Sequence, residues 1–401
     1  MRCKPDVYAY NAVIDGLRKD KMVDGALRLL SRMIDKGISP DVVTYSSIIQ
    51  GLCNVGRWKD VEDLLNEMLD NKISPDVRTY NILVDAFCKE GMVEEAENVL
   101  EIMMQRSICP NIVTYSALMD GYCLRGQMGK AKRVLHSIAD RGLTPSIINY
   151  SSLIDGYCKQ GRVNEAWDLF LEVPCIGLQH DTVSYNTMIQ GLFHKGRFAD
   201  GWKLFNDMEA RGITPDLLTH NIFLDGLCKT QHIAQAFSFL CMMEDKGVNP
   251  DIITYSILIE GLCKNGKLDI ARDLFNQLPS KGLQPDVHIY SIIIGSLCQE
   301  GLVEIATGLL VEMEKSGCAP NSVTYNVMIQ GLLKRNELRN AMPLMEEMYK
   351  RGFLANAATV YLLLNQLQGK GKDDILLETI KKIVPKNEDL FLLPRSSFNR
   401  A

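Results

Sequence analysis

Two places in this chain recur every 35 residues and are filled from a short menu of hydrogen-bonding side chains. One holds Asn11, Ser46, Asn81, Ser116, Ser151, Asn186, Asn221, Ser256, Ser291 and Asn326, never anything but Asn or Ser. The other, 30 residues further on, holds Asp41, Asp76, Asn111, Ser146, Asp181, Asp216, Asp251, Asp286, Asn321 and Asn356. A carboxylate can only accept hydrogen bonds, an amide can also donate, and a hydroxyl does either. These groups can tell the Watson–Crick edges of bases apart. Guanine and uracil present a ring N–H donor, whereas adenine and cytosine present a bare ring nitrogen. Asp at the second place therefore favours guanine or uracil, and Asn adenine or cytosine. At the first place the longer Asn reaches a small pyrimidine, and the short Ser leaves room for a purine.

The elements that carry these residues follow from the period. Aligned units begin at Val7, Val42, Val77, Ile112, Ile147, Thr182, Leu217, Ile252, Val287 and Ser322, without insertion or deletion, so the two places are the fifth and the closing one. In the unit Ile252 to Asp286, Tyr255, Leu258, Ile259, Leu262 and Cys263 recur with helical spacing, and Leu268, Ala271, Phe275 and Leu278 do so nearly as well. Gly266 stands where the first helix should end in a left-handed residue, and Gly282 with Pro285 stops the second. The unit is a helical hairpin. Its fourth place is Tyr10, Tyr45, Tyr80, Tyr115, Tyr150, Tyr185, Tyr255, Tyr290 and Tyr325, with His220 the exception, and its penultimate place is usually Pro, as in Pro40, Pro75 and Pro110. A period that never slips predicts an all-α solenoid, in which each hairpin buries its apolar faces against its neighbours, and no separate globular domains.

Within a unit the fifth, ninth and thirteenth residues stand at i, i+4 and i+8. They are expected to share a polar face of the first helix, opposite the core stripe and lining a concave groove. The thirteenth place holds Lys19, Lys89, Lys159, Lys229, Lys264 and Lys334, a broken basic stripe suited to phosphates. Five of these follow an acid four residues earlier (Asp15, Asp85, Asp155, Asp225 and Glu260) in the order that favours helix pairs worth roughly 0.2–0.5 kcal/mol each, so solvated ion pairs are the competing reading. The second place is apolar in Val43, Val113, Ile148, Val183, Leu218, Ile253 and Val323 and would sandwich a base between successive units; Tyr8 would stack, and Arg78 and His288 depart from the pattern. Asn and Ser at the fifth place would also suit a helix cap, but a cap tolerates Thr, Asp or Gly, which never occur there. Base readout is the preferred reading.

With 46% apolar and 23% charged side chains, the 401 residues can bury an extensive core, and no apolar run is long enough for a membrane span. The formal charge of −5 is unfavourable for a partner rich in phosphate, so local charge must serve where net charge does not. Seven of the twelve cysteines (Cys53, Cys88, Cys123, Cys158, Cys228, Cys263 and Cys298) occupy the twelfth place, a small core position where a free thiol acts as a buried hydrophobe. No Cys-x-x-Cys occurs, so no metal, cofactor or redox site is expected, and a reducing compartment is the natural setting. Residues 1–6 match the tail of a unit, which implies missing upstream repeats, and no transit peptide precedes them. Residues 7–356 are the ten tandem units. Residues 357–384 are expected to form a degenerate repeat, carrying Tyr361 at its fifth place, and a capping helix over 373–384; residues 385–401 read as a polar tail.

The period, the Val-x-Thr-Tyr-Asn/Ser opening of Val42 to Ser46, the Gly261-Leu262-Cys263-Lys264 turn and the Gly-x-x-Pro-Asp close of Gly282 to Asp286 resemble the pentatricopeptide repeat, from residue 7 to 356 without a gap. The uniform spacing resembles the pure class of plant organellar members, and the wording of the repeats its restorer-of-fertility-like branch. The resemblance implies a right-handed superhelix, a mitochondrial or plastid setting, single-stranded RNA as partner and processing factors recruited by the complex. It also implies one base per repeat, read by two or three side chains, the mode attributed to this class. In agreement with the class's pairing code, the ten units spell U, G, C or U, a purine, G, U, U, G, A, and C or U. The fourth base stays open between the purines because Ser116 and Ser146 can both donate and accept.

Two other functions compete. A tetratricopeptide-like protein-binding scaffold would share the helical hairpin, but predicts diverse groove residues, a 34-residue period and a Trp-x-x-Leu-Gly opening. An RNA-editing deaminase would need His-x-Glu and Cys-x-x-Cys to hold zinc and shuttle protons. Neither pattern is found, and no catalytic residue or small-molecule substrate is assigned.

Overall fold

The computed structural model describes residues 5–369, and among these every regular element is a helix. The expected capping helix over 373–384, the polar tail and the first four residues lie outside them. Each repeat has a first helix over its first thirteen places, such as Val42–Asn54, and a second beginning at the seventeenth, such as Trp58–Asp70. A further helix, Ala357–Gly369, follows the tenth repeat.

The chain divides into two compact parts, Met1–Pro215 and Asp216–Ala401. Inside the first, helix Val77–Lys89 packs on both Val42–Asn54 and Ile112–Leu124; inside the second, Val287–Glu300 packs on Ile252–Lys264 and Ser322–Lys334. Within each part hairpins thus stack in sequence order, first helix on first helix. The fold is the all-α solenoid that the period predicts.

The helix limits have local causes. The closing residue of one repeat is the N-cap of the next first helix, and Thr two places into that helix often completes a capping box, as in Asp41 with Thr44. The helix ends in a left-handed turn, Gly266 at φ 68° in the eighth repeat and Gln231 at φ 64° in the seventh. The second helix of the eighth repeat departs from a plain hairpin. It runs only from Leu268 to Gln277 before a 3₁₀ turn over Pro279–Lys281, whose first residue has no N–H to offer a helical carbonyl.

The core lies along the eighth place, where Ile14, Ile49, Val84, Met119, Ile154, Ile189, Leu224, Ile259, Ile294 and Ile329 are wholly buried, each stabilising the stack by roughly 1.5–3 kcal/mol. Beside it, the tenth and twelfth places set how closely first helices approach. A Cβ on Gly121 would stand 2.5 Å from Cys88 Sγ, and one on Gly261 would stand 2.5 Å from Cys228 Cβ. Where Gly at the tenth place meets Cys at the twelfth of the preceding repeat, the two small residues therefore set how closely the helices approach.

Candidate nucleic-acid interface

The closing residues are half-exposed or exposed, and each holds a fixed orientation. Except at Ser146, the side-chain Oδ1 accepts the backbone N–H at the third place of the next helix: Asp41 from Thr44 at 2.9 Å, Asp181 from Ser184 at 2.8 Å, Asp251 from Thr254 at 2.8 Å and Asp286 from Ile289 at 2.9 Å. The remaining oxygen is left as an acceptor. Asn does the same with Asn111 to Thr114 at 3.1 Å, Asn321 to Thr324 at 3.1 Å and Asn356 to Thr359 at 2.9 Å. A backbone N–H can only donate, so it holds each amide with the oxygen inward and the Nδ2 donors outward. Capping by the closing residue went unread in the sequence, although the Asp-x-x-Thr spacing signals it. Its consequence is that Asp presents an acceptor and Asn a donor.

The fifth residues are not on a solvent face. Ser46, Ser151, Asn186, Asn221, Ser256, Ser291 and Asn326 are buried, and Asn11, Asn81 and Ser116 half-buried. The expectation of an open polar face opposite the core is corrected here. In most of the repeats the physical reason is a hydroxyl at the third place of the next repeat. Thr44 Oγ1 donates to Asn11 Oδ1 at 2.7 Å, Thr114 to Asn81 at 2.6 Å, Thr254 to Asn221 at 2.8 Å and Thr359 to Asn326 at 2.6 Å, while Ser46 and Thr79 share a bond of 2.8 Å, as do Ser291 and Thr324 at 2.9 Å. The fifth residue also meets the closing residue of its own repeat: Asn11 Nδ2 donates to Asp41 Oδ1 at 3.1 Å, and Asn81 Nδ2 to Asn111 Oδ1 at 3.2 Å. The structure therefore brings together the pair that the sequence could only set 30 residues apart. Asp41 is held below the usual carboxylate range: burial acts to raise it, and bonds from the Thr44 backbone and from Asn11 outweigh that.

Two residues past each closing residue stand the second-place side chains. Val43, Val113, Ile148, Val183, Leu218, Ile253 and Val323 are all exposed, as is Tyr8, against the tendency of such residues to be buried. In each compact part these apolar faces flank the capped polar edges.

The lysines do not form a free basic stripe. Lys19 pairs with Asp15 at 2.8 Å, and Lys89 with Asp85, Lys159 with Asp155, Lys229 with Asp225 and Lys264 with Glu260 at 2.6 Å each. Every one of these ammonium groups is matched by a carboxylate one turn back. Lys334 differs because Gln330 replaces the acid and turns instead to Asn356 and Thr359. These ninth and thirteenth places do line concavities: one of about 380 Å³ beside Asp85, Lys89, Asp155 and Lys159, and one of about 160 Å³ beside Asp225, Lys229, Glu260 and Lys264.

Stacked hairpins, most of which present one apolar side chain beside one capped polar edge, define a helical-repeat protein with a recurring site. The chain belongs to the PPR repeat family, whose model matches residues 5–54, 41–89, 76–124, 110–159, 180–229, 221–264, 258–299, 285–334 and 320–368, with a single PPR repeat matched over 148–178. Among solved structures it is similar to the pentatricopeptide repeat protein PPR10 of maize in complex with an 18-nt psaJ RNA element, at 23% identity, TM-score 0.48, over 94% of this chain and 62% of that one. It is also similar to yeast Rmd9p in complex with a 16-nt target RNA, at 10% identity, TM-score 0.47, over 94% and 86% of the two chains. The chain thus spans less than two thirds of the PPR10 chain. No curated protein matches it.

Proposed function

We propose that the chain binds single-stranded RNA in a sequence-specific manner, one base per repeat, and acts by occupancy without catalysis. The observation that carries this reading is the N-cap. By committing one side-chain oxygen to the helix, it leaves Asp as an acceptor and Asn as a donor at the same place in successive repeats. A protein-binding scaffold has no use for that alternation. Membership of the PPR repeat family and the exposed second-place side chains, suited to stacking on bases, support the same conclusion.

The pairs favour RNA of the form 5′-UGYRGUUGAY-3′, the amino end of the protein meeting the 5′ end. Masking such a site from nucleases or ribosomes, or exposing a neighbouring one to recruited processing factors, places the chain in organellar transcript processing, stability or translation. The pure-class spacing and restorer-like wording point to mitochondria as the setting. Electrophoretic mobility shift with this RNA, its complement and the duplex of the two tests the proposal. Preference for the single strand is expected, and equal binding of all three would leave only non-specific contact.

A further inference from the structure

The fourth repeat departs from the others in a way that bears on specificity. Its pair is Ser116 and Ser146, two hydroxyls, and the third place that usually carries Thr is Asn149, almost wholly buried. Asn149 Oδ1 accepts the Ser146 backbone N–H at 2.9 Å, and Asn149 Nδ2 donates to Ser116 Oγ at 2.7 Å. The first of these fixes the amide, because a backbone N–H meets only an acceptor, so the oxygen must face Ser146 and the nitrogen Ser116. The Ser146 hydroxyl lies 3.0 Å from the same Oδ1 and can bond it only by giving up its proton. Ser116 Oγ spends its own proton on the Ile112 carbonyl at 2.7 Å. Both hydroxyl protons are committed inside the protein.

Resting on the modular reading proposed above, we infer that Asn149 is a positioning residue that makes Ser146 an acceptor only, so the fourth repeat selects guanine rather than either purine. With its proton held by Asn149, Ser146 keeps lone pairs for an incoming donor and so imitates Asp. Guanine offers such a ring N–H, directly or through one water, and adenine does not. Ser116 leaves the space for a purine, as Ser46 does in the second repeat. The favoured RNA becomes 5′-UGYGGUUGAY-3′.

The test is competition binding of the full chain to UGUNGUUGAU, with each base in turn at N, beside a control series varied at the second base, where Ser46 and Asp76 should choose guanine. The wild type is expected to favour guanine over adenine at the fourth base by roughly three- to tenfold, the size of one net hydrogen bond. Asn149→Thr restores the residue found at this place in other repeats, so the fold is kept, as circular dichroism would verify. A Thr hydroxyl at this place can donate to the closing side chain, as Thr44 Oγ1 does to Asp41 Oδ1 at 2.9 Å, so the Ser146 proton is no longer bound to turn inward, and the guanine-to-adenine ratio at the fourth base should fall toward one with the second-base ratio unchanged. If the second base is discriminated while the wild type shows no guanine preference at the fourth, or Asn149→Thr leaves that ratio intact, the role of Asn149 is overturned and the modular reading stands. If neither base is discriminated, the modular reading fails and takes this inference with it.

Discussion

Asn11 Nδ2 donates to Asp41 Oδ1 across 3.1 Å, and Thr44 Oγ1 returns a bond to Asn11 Oδ1 at 2.7 Å, so the two side chains proposed to read one base also tie two successive hairpins together. Recognition and folding share the same atoms. Substitutions that test readout must therefore be chosen to keep the cap and the inter-repeat bond.

Asp251→Asn meets that condition, because Asn caps a helix about as well as Asp. The Thr254 N–H should keep its acceptor, and stability should change by no more than about 0.5 kcal/mol. The outward group turns from acceptor to donor, so the seventh base should move from uracil toward cytosine by about 1–3 kcal/mol of discrimination. Asp251→Ala should instead lose the cap, at about 1 kcal/mol, together with any preference between the two pyrimidines. Urea unfolding and titration with four RNAs differing at that base separate the effects. Uniform weakening by Asp251→Asn would mean that the closing residue is only structural.

The hairpin, its limits and its core were legible because each rests on local pattern: the spacing of Tyr255, Leu258, Ile259 and Leu262, the left-handed Gly266, the small Cys at the twelfth place. The partners of the fifth and closing residues were not, because they lie about 30 residues away along the chain and only packing reveals them. Helical periodicity placed Ser46 on a face of its own helix, but could not show that Thr79 of the next repeat covers that face. Pro279 shows the opposite lesson. Pro279, before which the second helix of the eighth repeat ends, was visible in the sequence, yet the apolar stripe of Leu268 to Leu278 runs up to it without a gap, so the pattern read as one helix.

The twelfth-place thiols should behave as core. Burial pushes Cys53, Cys88, Cys123, Cys158, Cys228 and Cys298 up to about 12 from an ordinary 9.0, whereas Cys109, Cys175 and Cys241 are exposed. Alkylation of the native protein at pH 8, followed residue by residue, should modify the exposed three at least about tenfold faster than these six, of which Cys53, Cys88, Cys228 and Cys298 are buried and Cys123 and Cys158 half-buried, since only the thiolate reacts. The same shifts set a pH dependence. A thiol that holds its proton more tightly when folded contributes stability that is fully present below pH 9 and is lost as pH rises toward 12. The urea midpoint should therefore be lower at pH 10 than at pH 8; an unchanged midpoint would contradict the assignment of these thiols to the core.

The final expectation concerns the paired lysines, which distinguish phosphate contact from a mere solvated helix face. Lys229 lies 2.6 Å from Asp225, and both are substantially exposed, so the pair adds only about 0.2–0.5 kcal/mol to stability. A phosphate approaching Lys229 meets a nearly neutral dipole, with the acid opposing it as much as the ammonium attracts it. Asp225→Asn should strengthen binding of every RNA by about threefold at low salt, the size of one unit charge at roughly 6 Å in water. Lys229→Ala should weaken all of them by a similar factor, because a backbone contact carries no base identity. The double variant should return near the wild-type affinity, its two charges having cancelled. Salt supplies an independent measure: each newly neutralised phosphate on a single strand adds about −0.7 to the slope of log affinity against log salt, so Asp225→Asn should have the steeper slope. If Asp225→Asn matches the wild type in both affinity and slope, Lys229 contacts no phosphate, and the thirteenth-place lysines serve only to pair with the acids one turn before them.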